Sequence, residues 1–451
     1  MVGESCVDVG GRPRRWPGRG LARVLGGSND RGMDEESASM PATRHAANEE
    51  KVRDFIASRR AALLADLKLQ VETPTGCGFK AGLDRTREHF AKRLHALGAS
   101  IELVPGEPRP GWLYGGAGSA DIPPVLVARR SGPAVGPRVL ISGHLDTVHG
   151  PDGAFRSLSI SADGKTATGP GCVDMKGGLV IAIHALESLH ALGVDGPWSV
   201  VLNSDEETGS YHSEAALRAA ARDADVGLVL EPALPDGSLV VERPGSGQFV
   251  FECAGRAAHV GRDFASGRSA VLALARCISA TERLSDPGAA RIVNVGPIEG
   301  GHATNVVPDS ARAWGNARFG TPEIAAAIER ELRALETPAD EVPSVRLEVS
   351  FNRPAKPLTP GTHRLALAAR AVAESLGQEL PFGKTGGVCD GNILQDAGVP
   401  TIDTLGVRGG GLHTPREWIE LASLVERCQL LAILIARLSG DASWKRSDRR
   451  D

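Results

Sequence analysis

Apolar residues form two kinds of pattern along the first half of the chain. Between residues 49 and 97 they recur at helical spacing, and the turn-rich segment PTGCGFKAG interrupts them, which predicts two helices. Short apolar runs then alternate with helical patterns at 177–192 and 213–221. The runs have the length of buried strands and lie at 125–128, 139–142, 200–203 and 226–230. This alternation predicts a mostly parallel sheet flanked by helices.

The pattern changes between residues 245 and 353. Strands and helices are predicted there in the order βαββαβ, at 248–254, 269–284, 291–295, 311–318, 322–335 and 344–351. This order is the split arrangement of ferredoxin-like domains. A helix at 363–376, a strand at 401–404 and an apolar helix at 419–438 then resume the first pattern. The predicted fold class is α/β, with an inserted smaller domain.

These patterns divide the chain into five segments. We expect an α/β domain in two parts, 46–244 and 354–440, interrupted by an inserted domain at 245–353. The tails at 1–45 and 441–451 are rich in Arg and other polar residues, and we expect both to be disordered.

Composition narrows the class of protein. A chain of 451 residues suits two or three domains, and a net charge of -4 with 24% charged residues gives no sign of a nucleic-acid or membrane partner. Seven cysteines, odd in number and without a CxxC pair, predict reduced thiols. The chain has no run of about 18 apolar residues, and its first segment lacks the apolar core of a signal peptide. We therefore expect a cytoplasmic protein that acts on a small molecule.

Histidines and carboxylates follow the predicted strands. In VLISGHLDTV, His144 and Asp146 are two residues apart on a strand end and point to the same side, so one can bind a ligand while the other orients it. Four more candidates occur in GPGCVDMKGGLV, NSDEETGS, GLVLEPA and GVRGGGLHTPREW: Asp174, Glu207, Glu231 and His413. Ligand sites in open α/β sheets form beyond the carboxyl ends of the strands, so these side chains are expected to converge.

Each motif alone has a simpler interpretation. The acidic triplet is typical of a solvated turn, and Asp174 could cap a helix. Five candidates around one sheet favour a metal site instead, because His144, Asp174, Glu207, Glu231 and His413 form an N/O ligand set suited to zinc, with cobalt or manganese also tolerated.

Charge favours two zinc ions per chain. Three carboxylates and a bridging hydroxide balance two divalent cations, whereas one cation would leave the site negative. Glu206 diverges in direction from the adjacent Glu207, so it can face the bound water as general base. Asp205 is expected to support the site or to lie at the surface.

The motifs GHLDTV, GPGCVDMKGG, DEETGS, LEP and GGGLHTP together resemble the co-catalytic zinc metallopeptidases. That family includes glutamate carboxypeptidase, acetylornithine deacetylase, succinyl-diaminopimelate desuccinylase and aminoacylase, and the resemblance extends over residues 50–438. It implies that Asp174 bridges two metals, that His144 and Glu231 complete one site, and that Glu207 and His413 complete the other. It also implies that Asp146 orients His144 and that Glu206 activates the shared water.

The resemblance gives the inserted domain two roles, dimerisation and substrate contact. His259 in GRAAHVGRD matches the histidine that polarises the scissile carbonyl, often from the partner subunit, although it could also simply cap a loop. Asn305 in GGHATNVVPDSA and Arg318 in GNARF match positions near the oxyanion and the substrate carboxylate. An arginine fork suits a carboxylate.

Three further residues are candidate contacts for the same carboxylate. Arg353 in FNRPAKP is either a second contact or a surface salt bridge. Gly386 and Gly387 in GKTGGVCDGN could offer backbone N–H groups.

We therefore expect a zinc-dependent hydrolase, active as a homodimer, that cleaves an amide bond next to a free carboxylate as glutamate carboxypeptidase does. The alternative within the class is an N-acyl amino acid deacylase such as acetylornithine deacetylase. The alternative of another class is a catalytically silent binding or assembly module. Two-zinc aminopeptidases are disfavoured by Glu231 and by the inserted domain. Six other histidines lack ligand context, and most are expected at the surface or in caps: His149, His184, His190, His212, His302 and His363.

Overall fold

The structure is a computed structural model that describes residues 42–114, 121–132, 135–194, 196–338 and 340–446. Within them the helices are α1 Ala42–Ser58, α2 Arg60–Glu72, α3 Lys80–Ala96, α4 Gly177–Ala191, α5 Glu214–Arg222, α6 Ala270–Glu282, α7 Pro322–Arg333, α8 Pro360–Ser375, α9 Asp390–Asp396 and α10 Leu421–Ser439. The strands are β1 Ser100–Val104, β2 Val125–Arg130, β3 Val139–His144, β4 Ser159–Ile160, β5 Thr166–Thr168, β6 Trp198–Asn203, β7 Val226–Val229, β8 Leu239–Glu242, β9 Gly245–Ala254, β10 Ala258–His259, β11 Arg291–Gly300, β12 Val306–Val307, β13 Ser310–Phe319, β14 Ser344–Arg353, β15 Phe382–Lys384, β16 Thr401–Ile402, β17 Gly409–Gly410 and β18 Trp418–Glu420.

The main sheet has the strand order β1-β2-β6-β3-β7-β16. Strands β6, β3, β7 and β16 run parallel to one another. At one edge β2 pairs antiparallel with β6, and β1 pairs antiparallel with β2. The predicted mostly parallel sheet is confirmed. Since β3 and β6 end at His144 and Asn203, the loops that follow them meet at one edge of the sheet.

Side chains alternate between two cores along the main-sheet strands. Leu126 and Ile141 belong to the larger core, which also contains residues of α2, α3, α4, α8 and α10. Val127 and Leu140 point the other way, into a core shared with α5 and α9. The sheet is therefore covered by helices on both faces, as the apolar runs predict.

A second sheet, which we call the insert sheet, has the order β11-β13-β9-β14 with every pairing antiparallel. Helices α6 and α7 pack against it around a separate core that includes Phe249, Phe251 and Leu332. The chain order β9, α6, β11, β13, α7, β14 confirms the predicted βαββαβ arrangement. The domain limits at 245 and 353 stay a prediction.

The chain enters and leaves the insert sheet at adjacent points. Arg243 and Lys356 form an antiparallel bridge, with each N–H donating to the carbonyl of the other residue at 3.0 Å. Both side chains reach Asp403, which lies just after β16, at 2.7 Å from Arg243 Nη2 and 3.1 Å from Lys356 Nζ. All three residues are buried. This ionic junction fixes the start and end of the insert against the main sheet.

Several local features differ from the sequence prediction. The first helical region contains three helices, because α1 ends at Ser58, whose hydroxyl donates to the Phe55 carbonyl and competes with the helical pattern. The short strands β4, β5, β17 and β18 form a further sheet that was not predicted. Strands of two or three residues carry too little alternation to be recognised.

The predicted tails lie mostly outside the described residues. Within those residues, α1 begins at Ala42, and 442–444 form a helical turn, so both ends contain structure that the tail prediction did not include. No helix of the described part of the chain is long and apolar enough to cross a membrane.

Candidate active site

The structure brings the five predicted ligands together, and we call them the ligand cluster. His144 Nε2 lies 3.2 Å from Asp174 Oδ1 and 3.9 Å from Glu231 Oε1. His413 Nε2 lies 3.4 Å from Asp174 Oδ2 and 3.2 Å from Glu207 Oε2. Asp174 is thus central, because each of its oxygens faces a different histidine.

Each ligand comes from the end of a strand or from a neighbouring loop. His144 ends β3, Glu231 follows β7 by two residues, and Glu207 lies in a helical turn after β6. Asp174 lies in the turn Cys172–Lys176 that leads into α4. His413 has a left-handed backbone with φ 60°, which is uncommon for a residue other than glycine. Parallel strands and their crossover loops explain why residues so distant in sequence meet here.

The donor set fits divalent cations. Asp174 and Glu231 are buried, and Oε1 of Glu207 is a buried oxygen without a hydrogen-bond donor among the described residues. Two ligands of one tetrahedral zinc, each about 2.0–2.1 Å from the ion, lie about 3.3 Å apart. The spacings around Asp174 are close to that value. Three carboxylates face only two histidines, so a cation would relieve repulsion that the protein side chains leave in place.

Burial and repulsion disturb the titration of the cluster. Burial and the charges of Asp174 and Glu206 raise the pKa of Glu231 well above its ordinary value, although the charges of His144 and Arg243 act in the opposite direction. Burial also raises the pKa of Glu207, despite its contact with His413. Hydrogen bonds to Asp174 and Glu207 raise the pKa of His413 to about 10. Burial alone would raise the pKa of Asp174, but its contacts with both histidines lower it overall. A divalent cation bound between these groups would favour the ionised carboxylates and the neutral histidines.

Asp146 supports both sides of the site. Its carbonyl oxygen is 2.9 Å from His144 Nδ1, and its carboxylate Oδ1 is 3.5 Å from the same nitrogen. The carboxylate also accepts the backbone N–H groups of Glu206 at 3.2 Å and Glu207 at 3.0 Å. The residue predicted to orient His144 therefore also holds the turn that carries the candidate base.

Glu206 lies beside the ligand cluster with a different partner. Its Oε1 accepts a hydrogen bond of 2.8 Å from Arg353 Nη2. Burial raises the pKa of Glu206 to about 7, although the positive charge of Arg353 acts in the opposite direction. Asp205, the first member of the acidic triplet, is buried and accepts the His212 N–H at 2.7 Å, so its alternative as a surface residue is wrong.

Sequence reasoning missed Glu417. This fully buried carboxylate accepts the N–H groups of Gly171 and Val173 at 2.9 Å and of Asp174 at 3.0 Å, and it lies 2.7 Å from His149 Nε2. It therefore fixes the turn that presents Asp174. Its only sequence signal is a position four residues after His413, which is equally typical of an exposed loop.

The remaining candidate substrate contacts lie in the insert sheet and in the two-stranded sheet of β10 and β12. His259 and Asn305 are exposed and lie together where β10 pairs with β12, and the Val260 N–H donates to the Asn305 carbonyl at 3.0 Å. Arg318 is the second-last residue of β13 and is half-buried. Its Nη1 is buried and has no hydrogen-bond partner among the described residues. That His259 acts on a partner subunit stays a prediction.

Arg353 and the glycine pair have different surroundings. Arg353 is buried, with 3% of its side chain exposed, so the surface salt bridge considered for it is wrong. Gly386 and Gly387 are exposed just before α9, and the Gly387 carbonyl accepts from Arg243 Nη1 at 3.2 Å. Their contact with substrate stays a prediction.

The family model of peptidase family M20/M25/M40 matches residues 140–437, which is well over half of the chain. The protein belongs to this family. It is therefore a hydrolase of the metallopeptidase and amidohydrolase class, and its family is metal-dependent. This agrees with the resemblance drawn from the motifs and favours an enzyme over a silent binding module.

Relatives in the M20 family include carboxypeptidase G2 from Pseudomonas sp. strain RS-16, which is 27% identical over 84% of this chain and 89% of its own. Succinyl-diaminopimelate desuccinylase from Methylorubrum populi is 29% identical over 74% of this chain and 88% of its own. Among solved structures, the Bacillus subtilis YXEP protein, a dinuclear metal-binding peptidase of the M20 family, superposes with a TM-score of 0.57 at 16% identity, covering 84% of this chain and 98% of that chain. At that identity the likeness shows the fold alone.

Proposed function

We propose that the protein is a two-zinc hydrolase that cleaves an amide bond next to a free carboxylate, in the manner of a glutamate carboxypeptidase. The observation that carries this proposal is the position of Arg318. It is a half-buried cation of the insert sheet whose Nη1 has no hydrogen-bond partner among the described residues, and an arginine fork suits a carboxylate. Similarity to carboxypeptidase G2 over most of both chains supports the same class.

The ligand cluster would hold the metal ions. Asp174 would bridge two zinc ions, with His144 and Glu231 on one side and Glu207 and His413 on the other, as the contacts of its two oxygens suggest. Bound there, the ions would polarise the scissile carbonyl and acidify a water molecule.

The side chains of the protein would perform the proton transfers and orientation. Glu206 takes the proton of the attacking water and returns it to the leaving amine, since its carboxylate is held beside the ligand cluster by Arg353. Arg318 holds the carboxylate next to the scissile bond. His259 and Asn305, supplied by a second subunit of a homodimer, would contact the carbonyl oxygen as charge develops on it.

The Glu206→Ala variant tests the assignment of the base. We expect hydrolysis to fall by about 10²–10⁴-fold, because general-base catalysis contributes this much, with the zinc content per chain unchanged. Activity and bound zinc would be measured on the same preparation. Turnover retained at the wild-type level in this variant would exclude Glu206 as the base.

An N-acyl amino acid deacylase is the second candidate, because the desuccinylase is 29% identical over 74% of this chain. A panel of N-acyl glutamates, N-acetylornithine and N-succinyl-diaminopimelate, incubated with zinc-loaded enzyme, separates the two. Release of free glutamate at the highest kcat/KM supports the carboxypeptidase. Preferential release of acetate or succinate from the other substrates would replace it with the deacylase.

A further inference from the structure

The last residue of the insert sheet contacts the candidate base. Arg353 ends β14, and its Nη2 donates to Glu206 Oε1 at 2.8 Å and lies 3.2 Å from the Glu206 carbonyl oxygen. The preceding residue, Asn352, donates from Nδ2 to the Gly209 carbonyl. Two consecutive residues of β14 thus hold the turn that carries Glu206.

A buried polar network fixes Arg353 in turn. Its Nη2 donates to Ser210 Oγ at 2.7 Å, and its Nη1 lies 3.2 Å from Asp390 Oδ1. Asp390, the first residue of α9, accepts from Ser210 Oγ at 2.6 Å and from Asn203 Nδ2 at 2.7 Å. Arg353, Ser210, Asp390 and Asn203 are all at most 3% exposed. The guanidinium therefore lies between the carboxylates of Glu206 and Asp390, and its contacts with them and with Ser210 hold it in place.

Arg318 provides the contrast. Arg318 is half-buried in the insert sheet. Burial lowers its pKa, and the nearby charge of Arg353 lowers it further. Both arginines lie opposite Ser246 of β9, Arg318 in β13 and Arg353 in β14. Arg353 is paired with the carboxylates of Glu206 and Asp390, whereas Arg318 forms no ion pair among the described residues. A substrate carboxylate at Arg353 would compete with two carboxylates that already pair with this side chain, whereas at Arg318 it would meet no such competitor.

We propose that Arg353 is a positioning residue for Glu206 and not a substrate contact. It holds the carboxylate of the base at a set distance from the ligand cluster by linking it to α9 and to the end of β14. A displacement of about 1 Å at a catalytic group can cost about 10²-fold in rate. Loss of Arg353 should therefore reduce turnover without weakening substrate binding. This inference rests on the proposed role of Glu206.

The kinetic test compares Arg353→Met with Arg318→Met, on an N-acyl glutamate and on its α-carboxamide analogue. For Arg353→Met we expect kcat to fall by about 10²-fold on both substrates, with KM within about threefold of wild type. For Arg318→Met we expect KM to rise about tenfold or more on the carboxylate substrate only. A carboxylate-selective rise in KM for Arg353→Met, with kcat retained, would overturn the proposal.

Two more measurements protect the test against misfolding and against a wrong substrate class. Arg353→Lys keeps the charge but not the planar fork, and should show a smaller fall in kcat at an unchanged zinc content. Crystal structures of the zinc-loaded wild type and Arg353→Lys need no substrate. They should show the Glu206 carboxylate moved in the variant, and an unmoved Glu206 would refute the positioning role. If wild type cleaves neither substrate, the proposed function fails while this structural comparison still decides the inference.

Discussion

In the part of the chain that the structure describes, two groups of histidines and carboxylates differ in charge balance. In the ligand cluster, three carboxylates face two histidines, and no arginine of the described residues forms an ion pair with them. The second group, which we call the helix cluster, lies between α2, α3 and α4 and consists of Arg59, Asp66, His89, Arg93, His184 and Glu187. Residue types alone would make either group a metal site.

The helix cluster is neutralised by its own arginines. Arg93 contacts both Asp66 and Glu187, and Arg59 lies 2.7 Å from Glu187 Oε2. His184 Nε2 lies 3.2 Å from Asp66 Oδ2. Two carboxylates thus match two guanidinium groups, so no charge remains for a metal to balance. The comparison teaches that an excess of carboxylate, and not the mere presence of histidine and aspartate, distinguishes a ligand site from a structural network.

The largest expected effect is the loss of metal binding in Asp174→Asn. Since both histidines contact this carboxylate, hydrolysis should fall by about 10³-fold or more, as expected when a metal contribution of several kcal/mol is lost. Zinc should also no longer raise the unfolding temperature, whereas at 100-fold excess over Kd it stabilises wild type by about 2.7 kcal/mol. Calorimetry with and without zinc measures this.

The control for Asp174→Asn is Asp163→Asn. Asp163 is exposed in the turn between β4 and β5, where it contacts Ser161. This variant should keep both activity and zinc stabilisation. Equal zinc stabilisation in Asp174→Asn and wild type would show that the ligand cluster is not the metal site.

Asp66→Asn should reduce the stability of the fold and leave zinc binding and hydrolysis unchanged. Removing one partner from a buried ion pair costs about 3–5 kcal/mol, and we expect the lower end of this range because Arg93 is 20% exposed and keeps Glu187 as a partner. The free energy of unfolding, measured in urea, should fall by this amount, while zinc content and kcat of the folded enzyme stay unchanged. Asp54→Asn, which removes an exposed pair with Arg53, should cost less than about 1 kcal/mol.

The stabilisation by Asp66 should also depend on pH. Burial alone would raise the pKa of Asp66, but hydrogen bonds from His184 and His89 and the charge of Arg93 lower it well below its ordinary value. A group with a lowered pKa in the folded state stabilises fully above its unfolded pKa, here about 3.9, and this stabilisation is lost as pH falls through the folded pKa. The stability difference between wild type and Asp66→Asn should therefore be constant above about pH 5 and shrink below about pH 4. A difference that grows on acidification would contradict this role.

The two clusters also show how far the sequence could predict the structure. The ligand cluster was predictable because its members follow apolar runs, and parallel strands bring their carboxyl ends to one edge. The helix cluster was not predictable, because Asp66, Arg93 and His184 lie on regular helices where charged residues usually face water. His184, which was expected at the surface or in a cap, is 3% exposed.

The residues that hold Glu206 and Asp174 in place could not be predicted from the sequence either. Arg353 and Glu206 are 147 residues apart, and Glu417 and Asp174 are 243 apart. No local pattern links such pairs, since the contacts depend on loops whose geometry the apolar spacing does not encode. The main sheet and the insert sheet were predictable for the opposite reason, because each long strand repeats its own pattern of burial.

Glu417→Gln is expected to have a smaller effect than Asp174→Asn and Asp66→Asn. It tests whether Glu417 holds the turn that presents Asp174 to the metal. The glutamine retains one acceptor oxygen, so its amide NH₂ would face N–H groups that Glu417 now satisfies in the turn Cys172–Lys176. Loss of such an outer partner usually weakens metal binding by about 10–100-fold. Competition with a chelator should show zinc affinity reduced by this factor, with activity largely restored at saturating zinc.

The matched control is Glu420→Gln, three residues along the chain. Glu420 is 43% exposed and pairs with Arg408 at 2.7 Å, so its loss should leave zinc affinity at the wild-type value. Unchanged affinity in Glu417→Gln as well would mean that the turn presents Asp174 without help from this carboxylate. A loss of affinity confined to Glu417→Gln would show that the ligand cluster depends on a buried anion whose charge is matched by backbone N–H groups, whereas the helix cluster depends on arginines.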